Sequence, residues 1–512
     1  MDTPRLIYYS DGHHFHAKRI DPPWNLHKLR WPVDELAGTG VDLLTFGMGF
    51  SDVYFHDTKV GRKIGDDQEV WEDFINWRIL RMARDAKALG TDQIREVIGR
   101  GRETGLKVFP SLKLQDPSSD DPVCIERFGL LKMKHGKSVC LGVPDDRFPV
   151  HQTQWCYDYT NELVRQDKLA MLREVLEDYE ADGVELDFMF FPLYFRRAET
   201  EAGVPVMNAF VSEVRRMANE VGERQGREIP IMARVWQRRD DNLNIGLDVE
   251  SWIKAGDVDL VVGQMTGMLL DTGSMEGKWL ADAANNAGIA AYLRVDRKIE
   301  DARGTIANIE MFRAVGQTAH WQGFAGVSLG YLPWPFDEDE YRLLREMASP
   351  EAAARKDKRY IVPPAEAGLT YAAPLERQLP LVLEEGKRAA INVVIADDVE
   401  GARADGEMRE SILMITFQFF CVEDDVDIGF NGHALAVEDA EVEEPVRGTY
   451  WFYYRLDPEL IKQGDNTLEI EITRREQTAG FARTVKGVEV MTRYKDPERP
   501  EGLNPPRVGP PG

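Results

Sequence analysis

The sequence predicts an α/β fold: a (β/α)8 TIM barrel followed by an all-β sandwich of jelly-roll type. In the first 348 residues, short apolar runs alternate with amphipathic helical stretches. From residue 365 to residue 498, short alternating runs follow one another with almost no helix. Continuously apolar strands separated by helices are typical of a parallel sheet buried on both faces, and eight such units fit a closed barrel better than an open sheet.

Eight apolar runs are the predicted barrel strands. Between them, residues 91–103 form the clearest helical pattern, with Asp92 expected to cap its start and Gly105 to end it. Connections 50–89 and 115–161 exceed the usual length of about 2 to 6 residues. Both follow strand carboxyl ends, so they predict a walled cleft there, with a contact between subunits as the alternative. The predicted strands are residues 6–10, 41–47, 106–112, 183–189, 229–235, 258–264, 289–295 and 324–330.

A change of pattern near residue 350 predicts the domain limits. We expect the catalytic barrel in residues 1–348, a linker in 349–364, a β-sandwich accessory domain in 365–498 and a loose tail in 499–512. The linker carries a charged run and two prolines, and turn signals separate the later strands. The predicted sandwich strands are residues 379–383, 390–396, 412–420, 426–430, 450–456, 467–473 and 488–494.

Composition excludes several classes of protein. The 63 basic and 88 acidic residues give a net charge of -25, so the basic surface that nucleic-acid binding requires is absent. No apolar window is long enough for a membrane span, and no secretory signal is visible. We therefore expect a cytoplasmic protein, or a periplasmic or secreted one if a leader has been removed. The four cysteines have no metal-binding spacing and no disulfide pattern.

Two carboxylates on the fourth strand are the most informative feature. Glu185 and Asp187 lie two positions apart, so both side chains point into the barrel at its catalytic end. Repulsion between them, together with desolvation, raises the pKa of one carboxyl and keeps it protonated, as a general acid for glycosidic cleavage requires. The alternative is that arginine or lysine side chains neutralise both carboxylates in a salt-bridged layer of the barrel.

The same stretch resembles a known group of barrels. Residues 182–192 read Asp-Gly-Val-Glu-Leu-Asp-Phe-Met-Phe-Phe-Pro, and residues 157–165 read Tyr-Asp-Tyr-Thr-Asn-Glu-Leu-Val-Arg. Both segments are similar to motifs of family-10-like glycosyl hydrolases, in order and in spacing. The resemblance covers residues 5–347 and implies a barrel fold that acts on glycosidic bonds. It implies little about the substrate, because this group is mostly uncharacterised.

Two other glycosidase patterns match less well. Chitinase-like barrels carry a catalytic Glu where this chain has Met189, which argues against acetamido-assisted chemistry. Barrels of the large Glu/Glu clan place a nucleophile on strand seven. Here strand seven leads to Asp296, which faces Asp187 across the barrel as nucleophile or base. A structural pair between Arg294 and Asp296 is the alternative.

Polar and aromatic side chains follow several predicted strands at the same end. Basic groups at this rim favour an anionic glycan such as a uronic or sulfated sugar, because Arg matches carboxylate and sulfate oxygens bidentately. Alternatively, they balance the carboxylates or are ordinary loop charges. Tyr331 and Trp334 follow strand eight and are the best placed aromatics for stacking on a sugar, with packing under a loop as the alternative. The other predicted substrate-binding residues here are Lys113, Arg234, Gln264 and Arg294.

Asp11 and His14 follow strand one. His14 and His16 form the His-x-His motif of metal-dependent amidohydrolases, but the remaining ligands of that site are missing: Arg234, Gln264 and Ser328 stand near those places. We therefore predict no metal or cofactor, and expect Asp11 and His14 to hydrogen-bond a sugar hydroxyl or to be buried and satisfied.

The sequence thus predicts a glycoside hydrolase acting on an oligosaccharide or polysaccharide. Asp187 is the predicted general acid, Glu185 tunes it, and Asp296 is the third carboxylate. Two alternatives stay open: a polysaccharide lyase, and a non-catalytic glycan-binding protein on a degenerate barrel. The sequence does not predict the oligomeric state.

Overall fold

The computed structural model describes most of the chain. The predicted tail, residues 499–512, lies outside the described residues, as do residues 364–376. The described residues are 2–50, 52–65, 70–71, 73–121, 125–147, 152–265, 269–301, 304–363 and 377–495.

Eight parallel strands form a closed barrel, and each strand pairs with the next along the chain until β8 pairs with β1. This confirms the predicted barrel and all eight of its strands. The strands are β1 (Leu6–Ser10), β2 (Leu43–Gly47), β3 (Lys107–Lys113), β4 (Val184–Asp187), β5 (Ile231–Trp236), β6 (Leu260–Gln264), β7 (Ala290–Arg294) and β8 (Gly326–Gly330).

Helices lie between the strands, as expected for βα units. The predicted cap and end of α3 are confirmed: the Asp92 side chain accepts from the backbone N–H of Arg95, and Gly105 follows the helix with a φ of 81°. The helices are α1 (Leu26–Asp34), α2 (Phe74–Ala88), α3 (Gln93–Thr104), α4 (Leu130–His135), α5 (Glu162–Asp178), α6 (Thr200–Gln225), α7 (Arg239–Leu243), α8 (Val249–Ala255), α9 (Lys278–Ala287), α10 (Ile309–Gln322), α11 (Glu338–Met347), α12 (Pro350–Ala354) and α13 (Val399–Ala404).

The barrel interior is apolar in its lower half and polar in its upper half. Side chains two positions apart on a strand share a face, so the residue two places after each apolar one also points inward. After Met232, for example, this position holds Arg234, and after Tyr292 it holds Arg294. The lower half is therefore a packed plug, and the polar half lies at the strand carboxyl ends. The plug consists of Ile7, Leu43, Phe109, Met232, Leu260, Val262 and Tyr292.

The two long connections pack against each other above the barrel wall. Asp52 accepts hydrogen bonds from Tyr54 at 2.8 Å and from Tyr157, and Lys168 pairs with it at 2.5 Å. All four side chains are buried. This network joins the first connection to the second and to α5. It therefore fixes the connection that begins at Phe50, whose ring stacks on His13.

The C-terminal domain consists of two antiparallel sheets with a shared apolar core, which confirms the predicted all-β domain. One sheet has the order β9-β18-β12-β16-β15, with β10 beside β18, and the other has the order β11-β17-β13-β14. The strands are β9 (Lys358–Val362), β10 (Leu381–Leu383), β11 (Ala389–Ile395), β12 (Met408–Gln418), β13 (Asp425–Phe430), β14 (His433–Leu435), β15 (Glu441–Val446), β16 (Thr449–Leu456), β17 (Gly464–Arg474) and β18 (Arg483–Tyr494).

The segment predicted as a linker contains regular structure. Helix α12 lies in it, and β9 is already a strand of the C-terminal sheet. The two domains are in contact, because the Thr272 hydroxyl donates to the carbonyl of Ile361 at 3.1 Å and accepts from its backbone N–H at 2.7 Å. The change from the barrel to the β domain falls within residues 349–364. The exact domain limits given in the sequence analysis remain a prediction.

Two further features of the described residues bear on the sequence analysis. Their three cysteines, Cys140, Cys156 and Cys421, are all free. Among the helices of the same residues, none combines the length and the apolar character that crossing a membrane requires.

Gly47 sets the distance between the ends of β1 and β2. A Cβ atom there would lie 2.2 Å from the carbonyl oxygen of Asp11, which is backbone and cannot move aside without shifting the strand. We therefore expect Gly47→Ala to destabilise the protein by about 1–3 kcal/mol, the usual cost of overpacking, and to lower the thermal unfolding midpoint.

Gly99→Ala is the matched control. Gly99 lies inside α3 with open space at its Cβ position, so alanine should stabilise the helix by up to about 1 kcal/mol. Equal midpoints for Gly47→Ala and the wild type in a calorimetric scan would contradict the close packing of β1 against β2.

Candidate functional site

The polar upper half of the barrel contains a layer of buried charged and polar side chains. We call it the charged layer. Its members lie at or near the carboxyl ends of six strands, where the period-two alternation aims them inward. Each is less than 9% exposed. The charged layer consists of Tyr9, Lys113, Glu185, Asp187, Arg234, Gln264 and Arg294.

Arg234 lies between the two carboxylates of β4. Its Nη2 donates to Oδ2 of Asp187, and its Nε lies 3.7 Å from Oε1 of Glu185. The other oxygen of Asp187 accepts from the backbone N–H of Met189 at 2.8 Å. The ring of Tyr9 covers the guanidinium at 4.1 Å. Asp187 thus has the partners of an anionic carboxylate, whereas Glu185 has the edge of the same cation and the neighbouring Ser111.

The weaker pairing of Glu185 with Arg234 affects the protonation of Glu185. Burial raises the pKa of Glu185 to about 7. The charge of Arg234 opposes this increase, and the negative charge of Asp187 adds to it. The alternative of a salt-bridged layer is thus found in part, since Arg234 pairs with Asp187 while Glu185 keeps its proton near neutral pH.

A hydrogen-bonded chain connects Asp187 to Asp296 across the ends of four neighbouring strands, β4 to β7. Nη1 of Arg234 lies 3.5 Å from Oε1 of Gln264, and the amide of Gln264 donates to Asp296. Arg294 lies 3.7 Å from the other oxygen of Asp296. Burial raises the pKa of Asp296, although both of these groups oppose it. The side chain of Asp296 is 14% exposed, whereas that of Asp187 is completely buried.

Arg294 is completely buried and has spare donors. Its Nε and Nη2 have no hydrogen-bond partner among the described residues. The rings of Tyr9 and Tyr331 lie 5.1 and 5.7 Å from its guanidinium carbon. Gly330 leaves the room for it, because a Cβ there would lie 2.8 Å from Nη1. A buried guanidinium with unused N–H groups is suited to an anionic oxygen.

A second cluster lies beside the charged layer, after β1. Asp11 accepts from Tyr331 at 3.2 Å, from the backbone N–H of His14 at 2.9 Å, and contacts Nδ1 of His14. Burial opposes ionisation of Asp11, but the bond to His14 and the charge of Lys113 hold its pKa well below the usual range. Burial lowers the pKa of His13 to about 3. The His13 ring stacks on Phe50 at 3.8 Å.

Other predicted residues lie apart from this site. Trp334 lies beside Glu35, whose pKa burial raises to about 7, and not at the charged layer. His16 is buried and bonds Gln93 at 3.0 Å, so it does not join His14 in a His-x-His site. Four other arginines that follow β4 and β5 have carboxylate partners of their own. These pairs are Arg196 with Asp158, Arg197 with Asp146, Arg238 with Glu276 and Arg239 with Glu250.

Sequence reasoning missed three site residues. Tyr9 covers the guanidinium of Arg234, Ser111 is the β3 neighbour of Glu185, and His13 completes the cluster after β1. The period-two alternation of the strands predicts that Tyr9 and Ser111 point into the barrel, because each lies two positions after an apolar residue that points inward. No such pattern points to His13, because the turn after β1 determines its position.

The comparisons with known proteins give only distant structural likenesses. No family model matches the chain, and no curated protein matches it. A cycloisomaltooligosaccharide glucanotransferase from Paenibacillus sp. is 12% identical with a TM-score of 0.37, over 95% of this chain. This chain spans only 57% of that enzyme's length.

Two other solved structures give similar values. A maltogenic alpha-amylase from Thermotoga neapolitana is 12% identical with a TM-score of 0.38, over 91% of this chain and 99% of its own. An alpha-L-fucosidase from Paenibacillus thiaminolyticus is 12% identical with a TM-score of 0.43, over 69% of this chain and 49% of its own. At these values the likeness assigns no function to this chain.

The raised pKa of Glu185 predicts a pH-dependent difference in stability from Glu185→Gln. At low pH the carboxyl is protonated in both the folded and the unfolded chain. Between pH 4.5 and about 7 the unfolded chain releases the proton and the folded chain keeps it. The wild type should therefore lose stability relative to Glu185→Gln as pH rises through this window.

Thermal unfolding midpoints at several pH values measure this gap. Glu223→Gln is the control, because Glu223 is exposed and its carboxyl stays in water in both states. A gap between wild type and Glu185→Gln that stays constant from pH 4 to pH 8 would show that Glu185 titrates normally.

Proposed function

We propose that the protein hydrolyses glycosidic bonds at the carboxyl ends of the barrel strands. The observation that carries this proposal is that two carboxyl groups, joined by one hydrogen-bonded chain, have different electrostatic environments. Asp187 is ion-paired with Arg234, while burial raises the pKa of Asp296 above its ordinary value. Glycosidic cleavage needs a carboxylate and a second carboxyl whose raised pKa favours the protonated form.

The geometry favours an exchange of the roles expected from sequence. Asp296 is the general acid in this proposal, because burial raises its pKa, which favours the protonated form, and its side chain is partly exposed. Asp187 is the anionic partner, as nucleophile or as base. Glu185 remains the tuning neighbour: as long as it is protonated, the charge of Arg234 is available to Asp187.

We further propose that the substrate is anionic, such as a uronic or sulfated glycan. The support is the excess of buried donors around the carboxylates. Arg234 and Lys113 face Asp187 and Asp11, whereas Arg294 keeps two donor nitrogens without hydrogen-bond partners among the described residues. A carboxylate or sulfate group on the sugar would satisfy these donors with charge-assisted bonds. Tyr331, beside Arg294, is suited to contact the sugar ring.

Binding of a glycan without turnover is the second candidate. Asp187 is completely buried and held by Arg234, which favours it, because a catalytic carboxylate must reach the substrate. The two candidates differ in a simple observation. A binding protein retains affinity for its glycan and releases no product, whereas a hydrolase releases new reducing ends.

Replacing the proposed acid should strongly reduce turnover. On a panel of neutral, uronic and sulfated glycans, we expect Asp296→Asn to lower kcat/KM about 10²- to 10⁴-fold, the usual contribution of general acid catalysis. Reducing-end release measures it. Asp187→Asn should have an effect at least as large, and Asp296→Asn remains informative if loss of the Arg234 pair prevents Asp187→Asn from folding.

Asp282→Asn is the matched control, because Asp282 is exposed on α9 and pairs only with Lys278 on the same helix. It should retain wild-type activity. Equal turnover by Asp296→Asn and wild type would remove Asp296 from its role. Unsaturated, ultraviolet-absorbing products would indicate a lyase, and binding without any product would favour the second candidate.

The anionic preference predicts a selective effect at Arg294. Arg294→Gln should lower kcat/KM on an anionic glycan by about 10-fold or more relative to its neutral counterpart, because a hydrogen bond to a charged group is worth about 1.5–3 kcal/mol. Arg239→Gln, at an exposed arginine paired with Glu250, should leave the ratio unchanged. An equal loss on both glycans would assign Arg294 a structural role only.

A further inference from the structure

Three potential metal ligands converge after β1. Asp11, His13 and His14 each offer a ligand atom, and these atoms all lie within 4.8 Å of one another. They are separate from His16, which bonds Gln93. The set is therefore not the His-x-His motif visible in the sequence.

The sharp turn after β1 builds this arrangement. Gly12 has a φ of 68°, and a Cβ there would lie 2.8 Å from the Phe55 ring and 2.9 Å from the carbonyl oxygen of Gly47. Only glycine fits this position without strain. The turn brings His13 and His14 back over the carboxylate of Asp11, so the convergence is fixed by the backbone.

His13 is held by a contact that leaves a coordinating atom available, and Asp11 is held in place by its neighbours. The His13 ring stacks on Phe50, and its buried Nε2 has no hydrogen-bond partner among the described residues. Asp11 is fixed by the backbone N–H of His14 and by the hydroxyl of Tyr331. A buried imidazole nitrogen without a partner is costly unless something binds it. This orphaned nitrogen points to a ligand that the protein itself does not supply.

We propose that Asp11, His13 and His14 bind a divalent transition-metal ion, with Zn²⁺ as the best match. Two imidazoles and one carboxylate suit Zn²⁺ and its neighbours, whereas Ca²⁺ and Mg²⁺ require oxygen ligands. The metal replaces the proton between Asp11 and His14. Three protein ligands leave a fourth position for water or for a substrate oxygen.

Lys113 gives the proposal a distinctive signature. Its charge acts on both Asp11 and His13, and its ammonium group lies 4.4 Å from the centre of the Phe190 ring. A positive charge so close to the site opposes a bound cation. Lys113→Met keeps the apolar stem and removes this charge, so it should strengthen metal binding, which a merely structural cluster would not show.

The test uses the full chain, stripped with chelator and titrated with Zn²⁺ by calorimetry, with Co²⁺ as a spectroscopic probe. We expect one Zn²⁺ per chain and a Co²⁺ visible spectrum typical of nitrogen and oxygen ligands. His13→Gln and Asp11→Asn should each weaken binding at least about tenfold, since even loss of an outer partner of a metal ligand costs 10- to 100-fold.

His27→Gln is the matched control, because His27 is exposed on α1. It should bind Zn²⁺ like the wild type. No saturable binding by a folded wild-type chain would overturn the proposal, as would equal binding by wild type, His13→Gln and Asp11→Asn. The binding assay does not depend on catalytic turnover. The metal-binding proposal and the proposal of glycosidic cleavage can therefore be rejected independently of each other.

Discussion

The buried guanidinium of Arg234 is the interaction on which the upper half of the barrel depends. It faces two carboxyls from one strand and hydrogen-bonds Asp187 but not Glu185, so Glu185 meets a low-polarity environment with little compensation. The resulting pKa of about 7 follows from burial first and from the neighbouring charges second. Removing Arg234 would leave a buried charge unpaired, which typically costs about 3–5 kcal/mol.

The plug below and the walls around this layer explain why such charges can persist in the barrel. Below, apolar residues from β1 through β7 close the lower half and keep water from reaching the carboxylates from that side. Around it, the network of Asp52, Tyr157 and Lys168 fixes the long connections and thereby the position of Phe50. Rigid elements hold the charged groups, and only Asp296 and the cluster after β1 extend toward the surface.

Much of this arrangement follows from the alternation of side chains along the strands. The barrel, the inward direction of Glu185 and Asp187, and the presence of Arg234 and Gln264 beside them depend only on period two and on strand order. The ion-pair partner of each charged side chain cannot be predicted in this way, because it depends on the register between strands that are distant in sequence. Sequence reasoning therefore anticipated a carboxyl of raised pKa but not that it is Glu185, and it placed Trp334, which contacts Glu35, at the site.

Direct observation of the Glu185 proton tests the central claim. Difference infrared spectra of the full chain across a pH titration, with Glu185→Gln as the reference, isolate the carboxylic C=O band of this one residue. We predict a band that disappears with a midpoint near pH 7 in the wild type and is absent from Glu185→Gln. Loss of the band already near pH 4.5 would show that Glu185 is ionised at neutral pH and would contradict the account.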